Sequence, residues 1–236
     1  MTPPLISVII PVYNGARFIR EALDSIAAQN YPAMELLVVD DGSIDDTAGI
    51  IEAFARTSRL PVHYQRQENL GPAAARNRGI AAAAGQIIAF QDADDIWMSN
   101  KLALQMSLLE SSPVVDIVLG SVQFFRKIYQ PDLGELSEEW MEPRSLLVFQ
   151  AALCRRTVFD KVGLLNEALR TGEDMDWFIR AREAGVSIQI HTDLVLKYRR
   201  HEHNLTKKSL GNPNEMLGLL KQSLVRKRME NKRNGD

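Results

Sequence analysis

The chain has 236 residues and a mass of 26.5 kDa, with 45% apolar and 25% charged residues. These values fit a globular protein with one substantial core or two small ones, and exclude disordered, collagen-like and coiled-coil classes. The formal charge of −2 gives the whole molecule no electrostatic footprint for nucleic acid.

Charge is nevertheless divided along the chain. From Lys197 onward 11 lysines and arginines stand against 4 acidic residues, leaving 17 against 26 in residues 1–196. An acidic body therefore carries a basic tail. The single cysteine, Cys154, excludes an intrachain disulfide and a multi-cysteine zinc site, and suits a reducing compartment. Within an apolar stretch it reads as a buried structural thiol. Met1-Thr-Pro-Pro has neither a basic n-region nor a long apolar h-region, and no apolar run reaches about 18 residues. The expectation is a cytoplasmic protein, soluble or peripherally attached to the inner face of a membrane.

The first element is a strand, Leu5-Ile-Ser-Val-Ile-Ile-Pro-Val, almost continuously apolar and so buried on both faces. After Asn14-Gly15, the spacing of Phe18, Ile19, Ala22, Leu23 and Ile26 predicts a helix over 16–29, ended by Tyr31-Pro32. Glu35–Val39 is a second strand, stopping at Asp40-Asp41-Gly42-Ser43. Asp45 or Asp46 caps a helix over 47–56. A short strand at 62–66 precedes Gly71-Pro72, which opens an Ala-rich helix to about residue 84. Gln86-Ile-Ile-Ala-Phe is a fourth buried strand ending at Gln91-Asp92-Ala93-Asp94-Asp95. Alternating strands and helices of this length imply right-handed βαβ units and a mainly parallel sheet, with ligands beyond the carboxyl ends of the strands.

The second half is less regular. It shows a helix near 100–110, strand-like segments at 114–118 and 120–125, a polar loop over 129–142, and a helix beginning near Glu173. Two closing strands are expected at 187–190 and 194–198. The last segment, about 214–229, places Met216, Leu217, Leu220 and Leu224 on one face and Lys221, Arg226, Lys227 and Arg228 elsewhere. Its apolar stripe suits packing on the body or on a second subunit, and its basic residues suit an anionic membrane.

Asp40, Asp41, Asp92, Asp94 and Asp95 would repel one another if brought together without a cation or hydrogen-bond donors. An Asp-x-Asp step after a buried strand suits Mg²⁺ or Mn²⁺ bridging a diphosphate. The first strand end reads Pro11-Val-Tyr-Asn-Gly-Ala rather than G-x-G-x-x-G, and no P-loop is present. A phosphatase with an aspartate nucleophile also places Asp-x-Asp after a strand, but leaves Asp40-Asp41 without a role.

The ordered pieces Ser7–Asn14, Val39–Ser43 with Asp46-Thr47, Asn69–Gly71, Ala75-Arg-Asn77 with Gly79, Asp92–Asp95 with Trp97, Gly172–Asp174 with Asp176-Trp177, and Tyr198–His201 with Asn204 resemble the family 2 glycosyltransferases. The resemblance spans about residues 7–206. It implies the GT-A fold, an α/β architecture with a mainly parallel central sheet flanked by helices and an irregular C-terminal half that binds the acceptor. The implied domain is 1–210, with a nucleotide-sugar half over about 1–98 and an acceptor half over about 99–210, followed by the tail at 211–236.

The same resemblance implies an inverting, non-processive transfer of one sugar from a nucleoside diphosphate, a UDP-sugar being favoured, to an acceptor hydroxyl with Mn²⁺ or Mg²⁺ as cofactor. Pro11, Tyr13 and Asp41 would contact base and ribose, and Asp41 would accept from an imide N–H. Asp40 reads as a helix cap or an orienter. Arg76 would pair with Asp41 or a phosphate. Asp92 would bind ribose or a metal-bound water and Asp94 the metal, with His201 helping to hold metal or diphosphate ahead of its neighbour His203. Asp174 matches the catalytic base, beside Glu173. Trp97 and Trp177 would stack on a sugar face or pack in the core. The alternatives are an aspartate-nucleophile phosphatase and a nucleotide-sugar-binding protein without transferase activity. A dimer fits the apolar stripe of the tail.

Overall fold

The computed structural model describes residues 2–29, 31–130, 135–202, 204, 218, 221 and 223–226. Strands β1 (Ile6–Val12), β2 (Met34–Asp40), β3 (Val62–Arg66) and β4 (Ile87–Phe90) form the parallel part of one sheet, in the order β3-β2-β1-β4. Helices α1 (Ile19–Ala27), α2 (Thr47–Thr57) and α3 (Pro72–Ala82) make the crossovers. β2 and β4 are buried along their whole length and β1 at all but one position, because helices cover both faces and the strands need apolar residues at every position. Strand order reverses on either side of β1, so the loops after β1, β2 and β4 open onto a crevice at the switch point.

Helix α3 is pressed onto β1. A Cβ at Gly79 would lie 2.4 Å from Cγ2 of Ile9, so only glycine allows this approach, and the approach fixes where Arg76, one turn earlier, enters the crevice.

The sheet continues past β4 in a mixed region. β5 (Ile96–Trp97) and α4 (Lys101–Ser111) lead to β6 (Ile117–Gln130), β7 (Glu135–Trp140), β8 (Arg144–Ser145), a 3₁₀ turn at Phe149–Ala151, β9 (Ala152–Arg155), α5 (Thr157–Val162), α6 (Glu173–Glu183) and β10 (Ile188–Arg199). The order is β4-β9-β6-β10-β5, with β9 antiparallel to both neighbours and β10 parallel to β6.

Three expectations change here. The segments read as separate strands at 114–118 and 120–125 belong to one long strand, β6. The polar loop expected over 129–142 contains a hairpin, β6 against β7, whose apolar signal is weak because residues 138–140 face solvent. The two closing strands are one, β10, whose register shifts between Ile190 and Leu196 broke the pattern. Cys154 is fully buried in β9, and burial pushes its thiol up to about 12, consistent with a structural role.

The core runs through both halves, from Ile6, Ile9 and Leu36 to Phe149, Trp177 and Phe178. No helix among the described residues is long and apolar enough to cross a membrane. Of the tail, residues 223–226 are helical, and Arg226 donates through Nε to Glu183 at 2.9 Å on α6. Met216, Leu217, Leu220, Lys227, Arg228 and His203 lie outside the described residues.

Candidate active site

The loops after β1 and β2 are laced together. Asn14 adopts the left-handed conformation, with φ of 49°. Its backbone N–H donates to Ser43 Oγ at 2.9 Å, and its Oδ1 accepts from the Ile44 N–H at 2.8 Å. Asp40 accepts from the Ser43 N–H at 2.7 Å and from the Tyr64 hydroxyl at 2.6 Å, so it shapes the turn. Asp41 also braces a loop: Oδ1 accepts from Gln67 Nε2 at 2.8 Å and the Leu70 N–H at 2.9 Å, and Oδ2 from the Gly71 N–H at 2.8 Å. Gly71, with φ of 99°, starts α3 in a conformation that other residues rarely adopt. Pro11 is half-buried at the end of β1, and Tyr13 is exposed beside it.

The turn after β4 gathers Asp92, Asp94 and Asp95, each offering an oxygen within 4.8 Å of the others. Asp92 is held at both oxygens. Arg76 donates to Oδ1 at 2.7 Å and Gln150 Nε2 donates to Oδ2. Asp94 Oδ2 lies 2.8 Å from His201 Nε2 and accepts from Asn204 Nδ2 at 3.3 Å. Asp95 is buried; Oδ1 accepts from the Arg199 N–H at 2.9 Å, while Oδ2 has no partner among the described residues. Burial raises the Asp92 pKa against the opposing charge of Arg76, and burial with the charges of Asp94 and Asp92 raises Asp95 much further. Three crowded carboxylates, one with an orphaned buried oxygen, beside an imidazole form a hard oxygen-and-nitrogen donor set that fits Mn²⁺ or Mg²⁺.

Arg199 supports this turn from β10. Its Nε donates to the Asp94 carbonyl at 2.9 Å, and its guanidinium lies 4.9 Å from the Phe18 ring centroid and 4.8 Å from that of Phe125. Phe18 in turn packs on His201, with ring centroids 4.7 Å apart. This aromatic sandwich leaves little freedom to the guanidinium and holds the His201 ring against α1.

The third component comes from α6, which begins at Gly172 with φ of 74°. Arg76 bridges the two halves of the molecule, donating through NH2 to Asp92 and through NH1 to Glu173. Asp174, next along, has a pKa raised to about 6 by burial and the neighbouring Glu173 charge, with Arg76 opposing. Asn77 clamps the approach to α6: Nδ2 donates to the Leu165 carbonyl at 2.9 Å and to Glu167 at 2.8 Å, and Oδ1 accepts from the Leu165 N–H at 2.9 Å. Adjacent residues in Ala75-Arg-Asn77 therefore tie α3 to the same distant segment at two points.

Two expected pairings are corrected. Arg76 meets Asp92 and Glu173 rather than Asp41, because Asp41 is committed to the 67–71 loop. Neither tryptophan is available to a sugar face: Trp97 is 3% exposed and Trp177 0%. Trp177 packs against Phe149, Phe159 and Phe178 and donates to the Gly163 carbonyl at 2.9 Å. Trp97 donates to the Gln150 carbonyl at 3.1 Å. Sequence reasoning missed Gln150 and the positioning of Arg199. The signal for the first was a lone amide in the apolar run Leu146-Leu-Val-Phe-Gln-Ala-Ala-Leu.

The fold is shared with Staphylococcus aureus TarS in complex with UDP-GlcNAc (TM-score 0.77, 22% identity, 94% of this chain and 66% of that one). It is also shared with the mannosyltransferase PcManGT from Pyrobaculum calidifontis in complex with GDP-Man and Mn²⁺ (TM-score 0.67, 23% identity, 87% and 60%). A curled sheet flanked by helices, with acidic loops at its strand ends, places the molecule in the GT-A class.

The Glycosyl transferase family 2 pattern matches residues 7–163. Over 221 residues the chain is 33% identical to a glycosyltransferase of Rickettsia prowazekii, covering 88% of this chain and 67% of that protein. Over 203 residues it is 33% identical to glycosyltransferase AglE of Haloferax volcanii, covering 82% and 66%. A third relative, from Rickettsia felis, is 33% identical over 235 residues, but the chain spans only 38% of its length. The chain belongs to glycosyl transferase family 2.

Proposed function

We propose that this chain transfers a single sugar, with inversion, from a nucleoside diphosphate donor to an acceptor hydroxyl in a divalent-cation-dependent reaction of surface polysaccharide or glycoconjugate synthesis. A UDP-sugar is the favoured donor; TarS was solved with UDP-GlcNAc and with UDP, and PcManGT with GDP-Man. The observation that carries the reading is the Arg76 bridge. One buried guanidinium joins the strand-end carboxylate Asp92 to Glu173, the neighbour of a carboxyl whose pKa of about 6 suits a general base near neutrality.

Asp174 takes the proton of the acceptor hydroxyl as that oxygen forms its bond to the anomeric carbon. The bond from the anomeric carbon to the diphosphate oxygen breaks on the opposite face, and its electron pair leaves with the phosphate. A diphosphate needs no protonation to depart, so no second carboxylic acid is required, in contrast to a glycosidase. Asp94 and His201 would hold the cation, and Asp92 would face the ribose. Bound Mn²⁺ or Mg²⁺ would supply charge neutralisation on the departing diphosphate. Pro11, Tyr13 and Asp41 border the nucleoside end.

The test is nucleotide release across a panel of nucleotide sugars with Mn²⁺ and Mg²⁺, for the wild type, Asp94→Ala and Asp174→Asn. Both substitutions are expected to lower the rate by about a hundredfold or more. Unchanged release in both at saturating metal overturns the assignment.

A further inference from the structure

Below the site, α4 carries two polar side chains that point into the core. Lys101 is fully buried, and its Nζ donates to Gln105 Oε1 at 2.5 Å and to the Ala152 carbonyl at 3.1 Å. Gln105, also fully buried, donates through Nε2 to the Ala151 carbonyl at 2.9 Å and the Val118 carbonyl at 3.3 Å. The Lys101 ammonium lies 4.8 Å from the centroid of the Trp97 ring, whose own N–H donates to the Gln150 carbonyl. Three of these bonds, one each from Trp97, Lys101 and Gln105, end on the backbone carbonyls of one short segment, residues 150–152. Burying an amine in a core is costly unless it is well hydrogen-bonded, and burial lowers the Lys101 pKa to about 7. An apolar helix face would hold β9 in place without that cost, so the polar set is explained by what it orients.

The segment it braces carries the Gln150 side chain. Gln150 is 5% exposed, and Asp92 is the hydrogen-bond partner of its amide; Oε1 is buried with no partner among the described residues. An ionised carboxylate only accepts, so the NH₂ group faces Asp92. This bond and the Arg76 bond together occupy one oxygen each of Asp92 and fix the plane of its carboxylate.

We infer that Gln150 is a positioning residue for Asp92, and that the buried Lys101, Gln105 and Trp97 set acts on donor binding through Gln150. The inference rests on the glycosyltransferase reading, in which Asp92 faces the donor nucleotide. A carboxylate free to rotate would have to be ordered again by each incoming donor, at the expense of affinity.

The test is a double-mutant cycle read by calorimetric binding of UDP, GDP and their sugar conjugates in Mn²⁺, which needs no acceptor. Gln150→Met and Lys101→Met are each expected to weaken binding about tenfold, the scale of one hydrogen bond to a charged group. In the Gln150→Met background, Lys101→Met is expected to add little, although the two side chains do not touch. Trp97→Phe, which keeps an aromatic ring but removes the indole donor along with the pyrrole half of the side chain, is the second variant should Lys101→Met fail to fold; its effect on binding is likewise expected to vanish in the Gln150→Met background. Additive losses, or wild-type affinity in Gln150→Met, overturn the inference. If those variants bind normally while Asp94→Ala loses the nucleotide, the inference fails and the glycosyltransferase reading stands. A wild type that binds none of these nucleotides overturns both.

Discussion

The two halves of the sheet build their share of the site by different means. In the parallel half, residues close in sequence or on adjacent strand ends brace one another: Asp40 with Ser43 and Tyr64, Asp41 with Gln67, Leu70 and Gly71, Asn14 with Ser43 and Ile44. In the mixed half, each contributing side chain reaches across the molecule. Glu173 meets Arg76 from 97 positions away, His201 meets Asp94 from 107, and Gln150 meets Asp92 from 58. The first half is thus a preassembled cradle. The second is continuous with it through the sheet and the core, and its site side chains join the cradle through a few buried polar contacts.

Breaking the second half at its chemical residue gives the largest expected effect. Asp174→Asn keeps the shape and removes the proposed base, and is expected to lower kcat by about 10²–10⁴-fold with little change in thermal stability. The pH profile adds a sign. With the carboxyl raised to about 6, the proposed base is protonated at pH 5, so kcat/KM is expected to rise with pH through about 6 and then level. A profile of Asp174→Asn that retains the same limb would assign that ionisation elsewhere.

Next in size is the joint itself. Arg76→Met leaves Asp92 and Glu173 buried without their shared cation, and removing one partner of a buried ion pair costs about 3–5 kcal/mol. Denaturant unfolding monitored by tryptophan fluorescence measures this directly. If the halves were held together chiefly by the continuous core, the loss would stay below about 1 kcal/mol, as for an exposed pair.

The contrast also explains what was legible in the sequence. β1 to β4 and α1 to α3 follow from period and from Asp, Gly and Pro punctuation, because parallel βαβ units are local and their strands are apolar throughout. Asp40 was legible only as a helix cap or an orienter, and its bonds to Ser43 and Tyr64 decide for the second. β9 was not legible, since Ala152–Arg155 is four residues long and takes its place from β4 and β6, partners distant in sequence. The hairpin β6–β7 projects with a polar β7, so alternation gave no signal. At the site, single-sequence reasoning located Asp92, Asp94, Asp174 and His201 as candidates, but the partner of Arg76 was misjudged because α6 lies nearly a hundred residues from α3. The tryptophans were ambiguous by nature. An indole beside an acidic motif looks the same in a one-dimensional string whether it faces a sugar or, as Trp177 does, three phenylalanines.

A third prediction probes the close contact that sets α3 against the cradle. Gly79→Ala introduces a methyl 2.4 Å from Ile9 Cγ2, inside any tolerable contact, on a helix where alanine would otherwise be favoured. Overpacking of this kind costs about 1–3 kcal/mol, and the displaced helix carries Arg76 with it. The expected outcome is lower stability together with weaker nucleotide binding. A variant more stable than the wild type would mean that helix propensity outweighs the contact, and that Arg76 is not fixed by the packing of α3.

The smallest expected effect belongs to the cradle's own bracing. Tyr64 donates to Asp40 at 2.6 Å, and burial together with that carboxylate pushes the phenol up to about 12. Tyr64→Phe removes this donor, but Asp40 keeps the Ser43 N–H on its other oxygen, so the turn is held at a cost of about 1 kcal/mol. Absorbance titration is expected to show a tyrosine still protonated above pH 11 in the wild type, and to lose that late component in the variant. Because the cradle has several such local bonds, nucleotide affinity is expected to change less than twofold, whereas the contacts of the other half each join segments far apart in sequence. A tenfold loss on removing this one hydroxyl would place the cradle under the same single-contact control as the mixed half.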